Sequence, residues 1–272
     1  MIDSYFLFAS SVAALVARFV TYPIDTIKTR LQTNYESLSD NTEPRNTYAN
    51  IISLYHGLSV TLLFSVPALT LYLTTYSSSK EFLDSYRAPI LAQDALLNHA
   101  ISGLFAEAAA GLFFTPMEVI KSQLQIQVVH QSTLSLVKGI AKEEGIFGFY
   151  RGYWITLAVF VPHSVTYFVV YEQLKAFWSE ESQTFFVFLL CAAIASAAGI
   201  LISTPLDIVK TRWQVSNQAE AYKGGPVSIA IRMWKYEGGA VAFTSGMWAR
   251  VMWGIPLTTI NMAIFEWLLS VR

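Results

Sequence analysis

Residues 23–28 read Pro23-Ile24-Asp25-Thr26-Ile27-Lys28, and Gln32 follows four positions later. The pattern returns as Pro116-Met117-Glu118-Val119-Ile120-Lys121 with Gln125, and again as Pro205-Leu206-Asp207-Ile208-Val209-Lys210 with Gln214. The offsets are 93 and 89 residues. A second pattern interleaves with the first: Gly57, Pro67 and Tyr76; Gly152, Pro162 and Tyr171; Gly246, Pro256 and Phe265, with ten residues from glycine to proline and nine from proline to aromatic each time. Self-similarity at a fixed period means one structural unit used repeatedly. The units are 1–91, 92–179 and 180–272, each expected to be two helices joined by a polar loop.

Composition says where those helices lie. Apolar residues make up 54% of the 272 and charged residues 14%, against roughly a quarter charged in an ordinary soluble domain, with a mean hydropathy of +0.43. A helix crosses hydrocarbon with roughly 20 apolar residues, because its backbone polar groups are all paired internally. Residues 57–79, 152–171 and 182–206 are such runs, the second interrupted only by His163. Weaker runs at 4–23, broken by Arg18, at 95–116, broken by Glu107, and at 251–265 bring the expected count to six spans. An even count puts both termini on one side, and the polar intervals 34–50, 129–144 and 216–237 share one compartment. Met1-Ile2-Asp3 runs directly into apolar sequence, so no cleavable leader is expected.

Several function classes drop out. A net charge of -1 lacks the positive field that nucleic-acid binding needs. One cysteine makes no internal disulfide, and histidines 56, 99, 130 and 163 are not at metal-ligand spacing. No Gly-x-Ser-x-Gly, Walker or dinucleotide pattern is present, so neither an enzyme nor a cofactor is expected.

At the repeated hexapeptide, proline removes a backbone donor and kinks or breaks the helix, turning the next residues toward a common axis. The acid and lysine, three apart, share one helical face. Three such ends offer three acids and three bases in one ring. The competing reading, three separate surface pairs, is worth only ~0–1 kcal/mol each and explains neither the recurrence nor the proline.

This arrangement resembles the mitochondrial carrier family, whose signature is Pro-x-[Asp/Glu]-x-x-[Lys/Arg] in three tandem copies. The resemblance covers essentially the whole chain. It implies an all-α membrane protein of six transmembrane helices in three two-helix repeats, with pseudo-threefold symmetry and short matrix helices. It further implies a matrix gate in which each acid pairs with the base of another repeat: Asp25 with Lys121, Glu118 with Lys210, and Asp207 with Lys28. Gln32, Gln125 and Gln214 would brace these pairs.

The family's even-helix signature, [Phe/Tyr]-[Asp/Glu]-x-x-[Lys/Arg], is complete only at Tyr171-Glu172 with Lys175. Tyr76 with Lys80 lacks the acid and Phe265-Glu266 lacks the base. Two cytoplasmic-gate pairs are thereby implied, Lys80 with Glu172 and Lys175 with Glu266. The two missing groups are each other's partners, so no charge is stranded. With three pairs on one side and two on the other, the empty protein is expected to rest open toward the cytoplasm. The aromatic-basic-glycine signature is intact at Tyr150-Arg151-Gly152, which the resemblance makes a lipid contact, with cardiolipin as the lipid. The implied setting is the mitochondrial inner membrane, with both termini toward the intermembrane space and a monomer as the working unit.

Substrate contacts in the family lie on the even helices just before the shared proline: here Phe64, then Val159 and Phe160, then Trp253 and Gly254. None is charged, which disfavours strongly anionic cargo. Ionisable residues within a span cost roughly 2.5–3.5 kcal/mol on insertion scales and usually face a cavity. Arg18 and Glu107 are such residues, suited to the carboxylate and the amine of a zwitterion, and His163 is a further cavity candidate. Packing roles stay open for Phe64 and Glu107, and Arg250 reads as structural. Residues 23–32, Glu107 and Tyr150-Arg151-Gly152-Tyr153 locally resemble the S-adenosylmethionine carriers, although the contact residues differ. A small zwitterionic or cationic metabolite, an amino acid or a derived cofactor, is the expected cargo. A non-transporting scaffold of the same fold and a proton or ion leak pathway are the alternatives.

Overall fold

The computed structural model describes residues 4–33, 52–86, 96–126, 132–177, 185–216 and 224–270. Helices account for nearly all of them: α1 (Ser4–Gln32), α2 (Leu58–Asp84), α3 (Leu96–Gln125), α4 (Thr133–Glu143), α5 (Tyr153–Phe177), α6 (Phe185–Gln214), α7 (Pro226–Tyr236) and α8 (Met247–Ser270). Six are long, between 24 and 30 residues, and reach about 36–45 Å at 1.5 Å per residue. Five spans among the described residues are apolar enough to cross a membrane by composition as well as length. The sixth long helix, α8, has the length but carries Arg250, Asn261, Glu266 and three tryptophans.

The long helices form a closed ring, α1 beside α2, then α3, α5, α6, α8 and back to α1, and neighbours from different repeats pack more extensively than those within one. The first long helix of each repeat, α1, α3 and α6 (the odd helices, α2, α5 and α8 being the even ones), also touches the other two. Outward positions such as Phe19, Leu63, Phe105, Leu112 and Ile202 are exposed. A broad apolar exterior is what hydrocarbon solvates and water does not.

The prolines do not end the odd helices. Each of α1, α3 and α6 continues nine residues past Pro23, Pro116 or Pro205, to the glutamine of the repeated pattern. A membrane helix tolerates proline where neighbours satisfy the carbonyl it frees. At Pro116 that carbonyl belongs to Leu112, four residues back, and it accepts from the Tyr150 hydroxyl at 3.3 Å.

Two short helices close the end where the glutamines lie. In α4, Leu136 and Ile140 are buried one turn apart against Val119, Ile120 and Leu124 of α3. In α7, Ile229 and Met233 take the equivalent places against Ile208 and Val209 of α6. The corresponding stretch of the first repeat falls within 34–51, outside the described residues. Each even helix begins at a glycine with positive φ: Gly57 (85°), Gly152 (93°) and Gly246 (73°). A Cβ at Gly246 would lie 3.1 Å from Gln32 Cγ, and one at Gly152 3.3 Å from Gln214 Cγ. Only glycine combines that backbone conformation with such close approach to the next repeat.

Candidate functional site

The three odd helices bring their acids and lysines together across repeat boundaries. Lys210 Nζ is 2.7 Å from Glu118 Oε2, Lys28 Nζ is 3.5 Å from Asp207 Oδ2, and Lys121 is ion-paired with Asp25. Each glutamine donates from Nε2 to the same carboxylate that the lysine of its own helix meets. Gln32 reaches Asp207 Oδ2 at 2.9 Å, Gln214 reaches Glu118 Oε2 at 3.2 Å, and Gln125 reaches Asp25 Oδ2 at 3.4 Å. Asp25, Gln32, Gln125, Asp207, Lys210 and Gln214 are buried. Buried charge is tolerable only when paired and hydrogen-bonded, and here each of the three carboxylates meets both a lysine and a glutamine amide.

A further ring lies just beyond, two residues after each lysine. Arg30 Nε donates to the Gln125 carbonyl at 2.9 Å, Gln123 Nε2 to the Gln214 carbonyl at 3.0 Å, and Arg212 Nε to the Gln32 carbonyl at 2.8 Å. These side chains satisfy carbonyls that a helix C-terminus leaves without partners. The sequence reading passed over them, although their constant offset from the lysines was visible. Arg212 also pairs with Glu237.

Directly against the charged ring lies a cavity of about 300 Å³. Its lining includes Lys28, Glu118, Asp207 and Lys210, and the candidates Glu107, Val159, Phe160, His163, Trp253 and Gly254. His163 packs against Gly199 of α6, where an added Cβ would meet its Nδ1 at 2.9 Å. Lys28 Nζ lies 4.8 Å from the centre of the Trp253 ring.

Two other candidates lie elsewhere. Arg18 is not among this cavity's lining residues, and its guanidinium sits over the Phe114 ring at 5.8 Å. Phe64 packs with Phe114 against the apolar cluster of Val60, Met117 and Ile120, the packing role that the sequence left open. Conversely Arg250, read as structural, lines the cavity and places Nε 3.3 Å from Asp207 Oδ2. The sequence offers only a weak cue to this, a charge three residues from Trp253 on the same face of α8, with Thr61 and Thr156 at the equivalent places in the other repeats.

At the far end of the ring, no ion pair joins Lys80 and Glu172 among the described residues. Lys80 Nζ lies over the Tyr76 ring at 5.8 Å, and the Tyr76 hydroxyl is 2.6 Å from His99 Nδ1. Lys175 is described, whereas the Glu266 side chain lies outside the described set. Arg151 is ion-paired with Glu144 and donates from Nη1 to Ser216 Oγ at 2.6 Å, beside Tyr150 and Gly152 at the start of α5. Among the described residues no cluster of three metal-ligating side chains occurs.

The decisive comparison is with protein families. The mitochondrial carrier protein model matches three times, over residues 4–87, 92–182 and 181–271. This chain belongs to the mitochondrial carrier family. Its members are transporters, so this carrier is a multi-pass membrane protein that binds a small-molecule substrate rather than an enzyme. An uncharacterized mitochondrial carrier of Schizosaccharomyces pombe is 33% identical over 97% of both chains. The mitochondrial S-adenosylmethionine carrier protein of Xenopus laevis is 30% identical over 95% of this chain and 92% of that one. Mitoferrin of Caenorhabditis briggsae is 26% identical over 96% and 89%. Of these three names, one states a cargo, S-adenosylmethionine.

Proposed function

We propose that this carrier moves a small zwitterionic or cationic metabolite, an amino acid or an amino-acid-derived cofactor such as S-adenosylmethionine, across the mitochondrial inner membrane by alternating access. The observation that carries the cargo class is Glu107. Of the three carboxylates lining the cavity, Glu118 holds Lys210 and Asp207 holds both Lys28 and Arg250, whereas Glu107 makes no ion pair among the described residues. A carboxylate inside a membrane protein calls for a cation, and the cargo supplies it. Trp253 and Phe160 add aromatic surface suited to a cationic or planar group. The Xenopus laevis relative, named an S-adenosylmethionine carrier, supports the same class.

In this reading the Asp25–Lys121, Glu118–Lys210 and Asp207–Lys28 pairs, braced by Gln125, Gln214 and Gln32, are the matrix gate, and they are formed. Lys80–Glu172 and Lys175–Glu266 are the cytoplasmic gate, and the Lys80–Glu172 pair is apart, as in a form open toward the cytoplasm. Both termini then face the intermembrane space. Tyr150, Arg151 and Gly152, at the N-terminal end of α5, border a cardiolipin site, and the working unit is a monomer. Cargo shifts the balance between the two open forms only by binding their intermediate better than either.

The test is uptake of labelled S-adenosylmethionine and other zwitterions by liposomes holding the purified protein. Saturable uptake is expected, and Glu107→Gln should lower uptake at subsaturating cargo by about tenfold or more, the worth of one charge-assisted contact. Preferential uptake of phosphate or dicarboxylates would overturn the cargo class. Proton flux without organic cargo would favour a leak pathway, and no flux at all a scaffold.

A further inference from the structure

The charges around the cavity are balanced in number but not in position. Lys28, Lys210 and Arg250 face Glu107, Glu118 and Asp207. Asp207 Oδ2 alone meets three donors: Gln32 at 2.9 Å, Arg250 Nε at 3.3 Å and Lys28 at 3.5 Å. The equivalent oxygens of Asp25 and Glu118 each meet one lysine and one glutamine. The Asp207 corner therefore carries one cation more than it can neutralise, while Glu107 carries one anion without an ion-pair partner among the described residues.

Arg250 is the surplus cation. It is buried, and its Nη1 is directed to the Thr204 hydroxyl at 3.3 Å and the Ile200 carbonyl at 3.5 Å. These bonds to α6 hold the guanidinium plane in place. Among the described residues its Nη2 donates to no group, while the residue lines the cavity. A guanidinium fixed on one edge and open on another is prepared for an acceptor arriving from the cavity, and a carboxylate is the acceptor whose charge the corner lacks.

We infer that Arg250 binds the carboxylate of the cargo, with Glu107 taking its cationic group; the inference deepens the zwitterion reading proposed above and rests on it. Arg18, the sequence's candidate for the carboxylate, is stacked on Phe114 instead. The separation of one surplus charge of each sign makes the cavity select zwitterions over plain amines.

Paired probes that differ only by a carboxylate test this: S-adenosylmethionine against its decarboxylated form, arginine against agmatine, and ornithine against putrescine. Binding to the purified full-length protein is read from ligand-dependent thermal shifts. For at least one pair, the carboxylated member should bind the wild type about tenfold or more tightly, and Arg250→Gln should erase that preference by weakening the carboxylated member relative to the decarboxylated one. Arg250→Lys, which keeps the charge at the Asp207 corner, should retain part of the preference and guards against a loss due to unfolding. If no pair shows the preference in the wild type, including the case of no shift at all, or if Arg250→Gln keeps it, the assignment of Arg250 is overturned. If the arginine or ornithine pair behaves as expected and the S-adenosylmethionine pair does not, Arg250 stands and that cofactor is excluded as cargo.

Discussion

At the scale of single residues, the repeated glycine before each even helix is where backbone geometry and inter-repeat packing meet. Gly246 needs φ near +73° and approaches the Gln32 side chain that braces Asp207. Alanine in the left-handed region costs roughly 1–2 kcal/mol, and here its Cβ would also push on Cγ of the brace. Gly246→Ala should therefore lower the thermal midpoint of purified protein and, by moving Gln32, slow uptake by more than the stability loss accounts for; unchanged stability would show that the turn relaxes freely. The residues that make the charged ring were legible in the sequence because type and spacing recur three times, and repetition separates them from background. Arg250 was not, because it occurs in one repeat only and its meaning depends on α6, which brings Asp207 and Thr204 to it across the helix interface.

At the scale of elements, the sequence placed the membrane helices but ended the odd ones too early, at their prolines. A proline removes one donor, and the structure answers that loss locally: the carbonyl of Leu112 freed by Pro116 is met by the Tyr150 hydroxyl. Such a partner sits 38 residues away and has no local signature. Tyr150→Phe should then cost about 1 kcal/mol, or roughly 2–4 °C in thermal midpoint for a chain of this size, even in lipid free of cardiolipin. A loss seen only when cardiolipin is present would assign the hydroxyl to lipid instead. Phe64 and Arg18 illustrate the same limit: both were candidates for the cavity from their position along a span, and rotation about the helix axis, which an apolar run of this kind does not encode, sends both toward Phe114.

At the scale of the whole molecule, three head-to-tail contacts, each of one ion pair and one glutamine, close the ring below the cavity. Breaking one buried pair by removing a partner typically costs 3–5 kcal/mol, enough to reset a balance between two open forms. Lys121→Asp should abolish uptake in liposomes, since it sets two carboxylates against each other beside Gln125. Adding Asp25→Lys restores an opposite-charge pair at the same place and should recover a substantial part of the transport rate. The charge-swapped double variant is the most direct measurement of the account. Recovery of uptake relative to both single variants is the predicted result, and a double variant no better than Lys121→Asp alone, though folded to the same thermal midpoint as the wild type, would contradict it.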